Sequence, residues 1–228
     1  MTREEELAHN LRAVHARIAS ACESAGRHPD DVTLIVVTKT YPASDIEILS
    51  KLGVRDIGEN KHPEAGRKKD EIAAGDALTW HFIGGLQSNK AAAVASYADV
   101  VQSVDRLKLV PQLAKGAERS GRTVSCLVQV SLQPPGGAAG PVAPASTPPV
   151  SSSSLPRSRP IRAWPCAGSW VWHRLTVTPL RRSACWPRRP GAYVTTTPAD
   201  VLSAGMSDDL EQAITAGATR ACRAFGTR

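Results

Sequence analysis

The sequence predicts an α/β protein in which helices and parallel strands alternate to form most of a barrel. Between residues 4 and 132, stretches with apolar residues at helical spacing alternate with short runs of β-branched and aromatic residues. This alternation is typical of βα units around a parallel sheet. The run at residues 32–38 contains only apolar residues and threonine, as expected of a strand that is buried on both faces. Such units fit most of a (β/α)₈ barrel, in which functional residues lie at the carboxyl ends of the strands.

The predicted elements follow from local spacing and from residues that end helices or strands. The first helix is predicted at residues 4–25, where Leu7, Leu11, Val14 and Ile18 fall on one face. In chain order, the predicted elements are a helix at 4–25, a strand at 32–38, a helix at 43–52, a strand at 56–58, a helix at 62–74, strands at 79–83 and 100–104, a helix at 107–120 and a strand at 123–132.

A short strand at residues 201–203 is predicted to lead into a turn of small residues at 203–207. Ser207 suits the N-cap of a following helix, whose first turn is acidic. The backbone N–H groups and serine hydroxyls of such a turn can bind an anion, and a phosphate is the natural ligand.

The net charge of +7 comes from one segment, residues 133–199. Residues 1–132 carry equal numbers of basic and acidic side chains, whereas the segment has eight arginines and no lysine, aspartate or glutamate. The same segment holds 13 of the 17 prolines and four of the five tryptophans. Because proline is tolerated only in the first turn of a helix, the segment does not fit the βα pattern, and the predicted barrel is incomplete.

Two interpretations of residues 133–199 remain open. The segment could be a disordered arm, rich in proline and arginine, that binds nucleic acid or a partner protein. Alternatively, it is translated out of frame. Tryptophan has the single codon TGG, and moving the codon boundaries one base earlier across residues 170–174 allows Met-Gly-Val-Ala-Pro, an apolar run typical of a strand. We favour the second interpretation, under which no nucleic-acid partner is expected.

The cysteines and the amino terminus bear on the compartment. The five cysteines form no C-x-x-C pair and show no metal-ligand spacing with the histidines, so that neither a metal site nor a disulfide framework is expected. The amino terminus does not resemble a signal peptide, and no run of 18 apolar residues occurs. A cytoplasmic protein without membrane association is therefore expected.

Lys39 is the most unusual residue of the organised part, because it directly follows an apolar strand. A desolvated lysine favours the neutral amine, which attacks aldehydes to form imines. The alternative is a lysine that has already reached the surface. His81, beside Trp80, is either structural or chemical, and Asn60 is either a loop cap or a ligand.

Four motifs in this chain resemble the pyridoxal 5′-phosphate (PLP) homeostasis proteins, which share the barrel of the alanine racemase N-terminal domain. They occur in the family's order and rough spacing: I-V-V-T-K-T at 35–40, D-I-G-E-N at 56–60, W-H-F-I-G-G-L-Q-S-N-K at 80–90 and S-A-G-M-S-D-D-L at 203–210. The third motif is highly specific.

The resemblance implies one PLP-binding domain over residues 1–228 that carries or regulates the cofactor without established turnover, and hence no catalytic residues. It implies a Schiff base on Lys39, Asn60 near the cofactor ring, and His81 in the same site. The implied phosphate contacts are Ser203, Gly205, Met206 and Ser207, with Gly226 and Thr227 from a final turn. PLP and PLP-requiring apoenzymes are the implied partners, and a monomer is expected.

The sequence departs from the family at two places. Residues 133–199 lack the expected helices and strands, and the final turn, R-A-F-G-T at 223–227, has one residue more than the family's pattern. The alternative function, an amino-acid racemase, would require a second acid/base residue opposite Lys39. The nearest tyrosine, Tyr41, lies only two residues along the chain.

Overall fold

The strands that form the centre of the molecule come from both ends of the chain. The computed structural model describes residues 1–131, 170–178, 193–196, 201–206 and 208–225. The strands in these ranges are β1 (Thr33–Val37), β2 (Asp56–Glu59), β3 (Thr79–Phe82), β4 (Val100–Val104), β5 (Val124–Ser131), β6 (Trp170–Thr178), β7 (Tyr193–Thr196) and β8 (Arg220–Ala224). The α-helices are α1 (Arg3–Ser24), α2 (Ala43–Lys51), α3 (Glu64–Glu71), α4 (Ala91–Val94), α5 (Val110–Ser120) and α6 (Leu210–Thr215), with 3₁₀ turns at Pro29–Asp31, Gly75–Ala77 and Leu107–Leu109.

All of these strands belong to one sheet, with the order β7-β6-β5-β4-β3-β2-β1-β8. The six strands from β5 to β8 in this order pair in parallel and form a curled half-barrel covered by helices. Strands β6 and β7 extend the β5 edge in antiparallel orientation. The predicted α/β class and the incomplete barrel are therefore confirmed.

Most elements of the first 131 residues lie within a few residues of their predicted ranges. Strand β4 occupies the predicted range, whereas α3 is shorter at both ends than the predicted helix at 62–74. The predicted strand at 201–203 is reduced to a single parallel bridge between Ser203 and Arg220. Helix α4 and strand β8 have no counterpart in the sequence prediction.

Strands β6 and β7 lie within the segment that the sequence predicts to be disordered or out of frame. Their antiparallel pairing differs from the parallel βα units that a barrel requires. The rest of residues 133–199 lies outside the described residues, and both interpretations of the segment stay predictions.

The outer face of the half-barrel packs against the helices. One cluster joins Val36, Ile57 and Trp80 of the sheet to Leu7 and Leu11 of α1, together with apolar residues of α2. A second cluster joins β3, β4 and β5 to α4 and α5, and a third joins α1 to α6 and β8. These apolar contacts fix the strand ends relative to one another.

The pairing of β8 with β1 brings the carboxyl-terminal part of the chain to the candidate site. The two strands are in register from the pair Thr33–Arg220 to the pair Val37–Ala224. The bridge between Ser203 and Arg220 then adds the turn at residues 203–206 to the same side of the sheet. Through this pairing, residues far apart in sequence meet beside β1.

Candidate functional site

Lys39 and Asn60 both follow the carboxyl ends of neighbouring strands, β1 and β2, which form one rim of the half-barrel. Val37 of β1 is in register with Gly58 of β2. Lys39 lies two residues after Val37, and Asn60 lies two residues after Gly58. The N–H of Phe225 donates to the carbonyl of Val37 at 3.3 Å, so the end of β8 reaches this rim as well. Gly226 and Thr227, which follow Phe225, and Ser207 lie outside the described residues.

The side chain of Lys39 is exposed. Of the two alternatives for this lysine, the structure has the one at the surface, because β1 ends at Val37 and Lys39 lies in the turn beyond it. Among the described residues, its amine has no hydrogen bond or ion pair. The amine is thus accessible to a ligand.

The residue after Lys39, Thr40, has a φ of 69°. This left-handed conformation costs a β-branched residue about 1–3 kcal/mol, and such strained residues are concentrated at functional sites.

A buried ion network supports this rim from the side of α3. The Lys68 ammonium donates to Glu59 Oε1 at 2.8 Å and to the Thr38 carbonyl at 3.0 Å, and the Thr38 hydroxyl donates to the same Glu59 oxygen at 2.7 Å. Glu64 also pairs with Lys68, at 2.9 Å, and this hydrogen bond lowers the pKa of Glu64. The network joins the ends of β1 and β2 to α3.

Two oxygen acceptors at the same rim are buried without a partner among the described residues. They are Asn60 Oδ1 and the second carboxylate oxygen of Glu59, Oε2. An unpaired buried acceptor costs about 1–3 kcal/mol, and such groups call for an explanation, which a bound donor would supply. A Cβ at Gly84 would lie 2.0 Å from the Asn60 carbonyl oxygen, so only glycine allows this close approach. The rim therefore offers one exposed amine and two unpaired acceptors.

A chain of hydrogen bonds crosses the interior of the half-barrel and includes two predicted site residues. His81 Nε2 lies 2.8 Å from Asp56 Oδ1, and His81 Nδ1 lies 2.9 Å from Gln102 Nε2. The Ser203 hydroxyl donates to Gln102 Oε1 at 3.0 Å. His81 is almost completely buried, and burial lowers its pKa despite the opposing effect of Asp56. Both ring nitrogens of His81 are thus bonded to protein atoms, and its contact with a cofactor stays a prediction.

The turn at residues 203–206 combines a buried and an exposed end. Ser203 is buried, whereas Met206 is largely exposed. Gly205 has a φ of 89°, and a Cβ there would lie 2.6 Å from the Cβ of Ala213, so that the turn requires glycine at this position. The Met206 N–H donates to Asp209 Oδ1 at 2.6 Å. This N–H is therefore engaged, and a phosphate would bind it only by displacing the Asp209 carboxylate.

Sequence reasoning missed Gln102, Asp56 and Lys68, which connect the predicted site residues to the fold. Gln102 could have been recognised from the sequence, because it is an amide within a predicted strand that is otherwise apolar except for Ser103. For Lys68, the sequence shows only that Glu64 lies four residues earlier, a spacing that is common for ion pairs on a helix. In the described part of the chain, no group of three His, Cys, Asp or Glu side chains could hold a metal ion.

No family model matches the chain. A curated protein of Mycobacterium tuberculosis (strain ATCC 25618 / H37Rv), named pyridoxal phosphate homeostasis protein, is 33% identical over 251 residues, which cover 99% of this chain and 92% of that protein. The chain belongs to the pyridoxal phosphate homeostasis protein family. Membership in this family confirms the resemblance that the four sequence motifs indicate.

Two solved structures are similar to this family member. A protein of unknown function from Bifidobacterium adolescentis has a TM-score of 0.68, covering 97% of this chain and 94% of that chain at 23% identity, and thus shares the fold. PipY of Synechococcus elongatus PCC7942, solved with PLP bound, is 39% identical over 46% of this chain and 50% of that chain, with a TM-score of 0.39. Within the described residues, no helix is both long and apolar enough to cross a membrane.

Proposed function

We propose that the chain binds PLP through a Schiff base on Lys39 and acts in intracellular PLP homeostasis as a carrier or regulator of the cofactor. The observation that carries the proposal is the exposed Lys39 amine at the carboxyl rim of the half-barrel, where Asn60 follows the end of the neighbouring strand β2. Membership in the family supports the same cofactor. When bound, PLP supplies an aldehyde carbon that a neutral amine attacks, with loss of water, to give a Schiff base.

The residues at the rim fit such a ligand. Lys39 provides an accessible amine, and the unpaired oxygen of Asn60 provides an acceptor for a donor on the ring. At the turn of Gly205 and Met206, a phosphate oxygen would replace Asp209 Oδ1 as the acceptor of the Met206 N–H. We assign the phosphate to this turn and to Ser203, with Ser207, Gly226 and Thr227 as further contacts, and we place His81 behind Ser203.

A carrier is favoured over a racemase because the candidate acid/base side chains are packed against other residues or buried. The ring of Tyr41 packs under the Arg3 guanidinium at 5.5 Å, and both ring nitrogens of His81 are bonded to protein atoms. The hydroxyl of Tyr97 is buried, and burial raises its pKa. A second proton donor opposite Lys39, which a racemase requires, is therefore missing from the described residues.

The physiological setting follows from this role. We infer that the protein is a cytoplasmic monomer that passes PLP to apoenzymes which require it. Family membership gives no support to nucleic-acid binding by the basic segment, and we expect no nucleic-acid partner.

The test of the Schiff base is the visible absorbance of the protein mixed with PLP. We expect an imine band that is lost in Lys39→Ala, and borohydride reduction should fix the cofactor on the peptide that contains Lys39. Lys61→Ala is the matched control, because Lys61 is also exposed and directly follows Asn60. If Lys39→Ala keeps the band while Lys61→Ala loses it, the lysine is wrongly assigned.

A further inference from the structure

The hydrogen bonds that cross the half-barrel have a fixed direction when His81 is neutral. The Asp56 carboxylate can only accept, so the ring proton of neutral His81 lies on Nε2, which faces Asp56 at 2.8 Å. His81 Nδ1 is then an acceptor and takes a proton from the amide nitrogen of Gln102 at 2.9 Å. The amide oxygen of Gln102 must therefore face Ser203, at 3.0 Å.

This direction determines what the Ser203 hydroxyl can do. A hydroxyl has one proton, and that proton points at Gln102 Oε1. Towards any other group, Ser203 offers only lone pairs. A phosphate dianion also offers only lone pairs, so the two oxygens would repel each other in this arrangement. The arrangement thus opposes the phosphate contact that the proposed function assigns to Ser203.

Protonation of His81 reverses the direction. A protonated imidazole donates from both nitrogens, so Nδ1–H needs an acceptor and the Gln102 amide must turn round. Its nitrogen then faces Ser203 and donates to the hydroxyl oxygen. The Ser203 proton is released from Gln102 and becomes available to an anionic oxygen. One proton is taken up from solvent on His81, and no other group changes its charge.

The surroundings of His81 favour its neutral state. The charged groups that act on it are Asp56 on β2, Asp99 just before β4 and Arg220 on β8. Burial has the largest effect and lowers the pKa of His81. The thiol of Cys222 also contacts Ser203, but burial raises its pKa to about 11, so it stays protonated and cannot take the Ser203 proton.

We propose that His81 and Gln102 are positioning residues that couple the binding of a phosphate group at Ser203 to proton uptake on His81. The inference rests on the proposed function in placing the phosphate at Ser203, but it does not depend on a Schiff base. Because the two binding events share one coupling free energy, bound phosphate also raises the proton affinity of His81. Affinity for the phosphate group is highest at low pH and falls as the pH rises through the pKa of His81.

Pyridoxine 5′-phosphate tests the coupling, since it carries the ring and the phosphate but has no aldehyde to react with Lys39. Ser203 gains a charge-assisted hydrogen bond only when His81 is protonated. The dissociation constant of pyridoxine 5′-phosphate should therefore rise about tenfold or more as the pH rises through the pKa of His81, which burial lowers. The phosphate itself titrates near about pH 6. Ser203→Ala keeps that titration but lacks the hydroxyl, and it should show a clearly smaller dependence on pH.

Asp56→Asn separates this coupling from a merely structural role. The side-chain amide that this substitution introduces can present either its nitrogen or its oxygen to His81 Nε2. When the nitrogen donates, the ring proton lies on Nδ1 and Gln102 turns round while His81 stays neutral, and we expect the variant to bind pyridoxine 5′-phosphate at high pH as tightly as the original protein does at low pH. When the oxygen accepts, the ring proton stays on Nε2, and the variant should keep the pH dependence of the original protein. A purely structural role predicts weaker binding at every pH instead.

The ring proton can also be observed without any ligand. In ¹⁵N spectra of labelled histidine, the His81 proton should lie on Nε2 in the original protein, and the same spectra show which nitrogen carries it in Asp56→Asn. The inference is overturned if the original protein carries the proton on Nδ1, if Asp56→Asn carries it on Nδ1 without tighter binding at high pH, or if Ser203→Ala shows the full pH dependence. If pyridoxine 5′-phosphate binds with the expected pH dependence but the Lys39 imine band is absent, the Schiff base fails and the coupling stands. If the compound does not bind at any pH, the phosphate assignment and the coupling both fail.

Discussion

Polar side chains at the rim of the half-barrel and in its interior differ in whether they have hydrogen-bond partners. At the rim, the Lys39 amine and the oxygen Asn60 Oδ1 have no partner among the described residues. In the interior, His81 and Gln102 each use both of their polar ends in the chain that connects Asp56 to Ser203. Since an unpaired buried polar group is destabilising, Asn60 Oδ1 carries a cost that a ligand can remove, whereas the polar ends of His81 and Gln102 carry none. This difference separates the surface that meets the ligand from the structure that supports it.

Lys68→Met should have the largest effect, because it breaks the buried network that holds the rim in place. Removing one partner of a buried ion pair leaves an uncompensated charge, here on Glu59, at a cost of about 3–5 kcal/mol in the free energy of unfolding. Urea titration measures this difference. Lys51→Met is the control, because Lys51 is exposed, and it should change stability by less than about 0.5 kcal/mol.

The same network predicts a dependence of stability on pH. The hydrogen bond from Lys68 lowers the pKa of Glu64 in the folded protein. The unfolded state therefore takes up a proton at higher pH than the folded state, and the stabilisation is lost as the pH falls through the folded pKa. This acid-side loss should be smaller in Lys68→Met. An identical decrease in both proteins would show that the Lys68–Glu64 pair contributes nothing measurable.

Gln102→Leu tests the interior and should have an intermediate effect. The substitution leaves the Ser203 hydroxyl and His81 Nδ1 buried without their present partner, which costs about 1–3 kcal/mol. Thermal and urea unfolding should both show the loss. A variant as stable as the original protein would mean that the interior chain is not part of the support of the fold.

The success of the sequence prediction depended on how local each signal was. Helix α1 and strand β4 were found because their apolar spacing lies within the element itself. Strand β8, with the sequence R-A-C-R-A, has no alternation and no β-branched residue, and it forms by pairing with β1 nearly 190 residues earlier. Its position depends on tertiary structure that no local pattern encodes.

For the candidate site as well, only patterns local to one stretch of the sequence could be recognised. Lys39 and Asn60 were found because each follows a predicted strand, and the parallel sheet brings the strand ends together. The exposure of Lys39 could not be predicted, since it depends on the strand ending two residues earlier. The contact between Gln102 and Ser203 joins residues 101 positions apart, and their spacing in the sequence carries no information about it.

Asn60→Leu should have the smallest effect on stability, and its sign distinguishes the rim from the interior. The two side chains have the same number and branching of heavy atoms, and the substitution removes an acceptor, Oδ1, that has no partner among the described residues. Replacing an unsatisfied polar group by an apolar one is nearly neutral or stabilising, so the free energy of unfolding should change by less than about 0.5 kcal/mol or increase. The affinity for PLP should nevertheless fall, because the ligand loses the acceptor that we assign to its ring.

Parallel urea titrations and PLP titrations of Asn60→Leu and Gln102→Leu measure the free energy of unfolding and the affinity for PLP. If Asn60→Leu unfolds as easily as Gln102→Leu, the Asn60 oxygen has a structural partner, and the rim is no different from the interior.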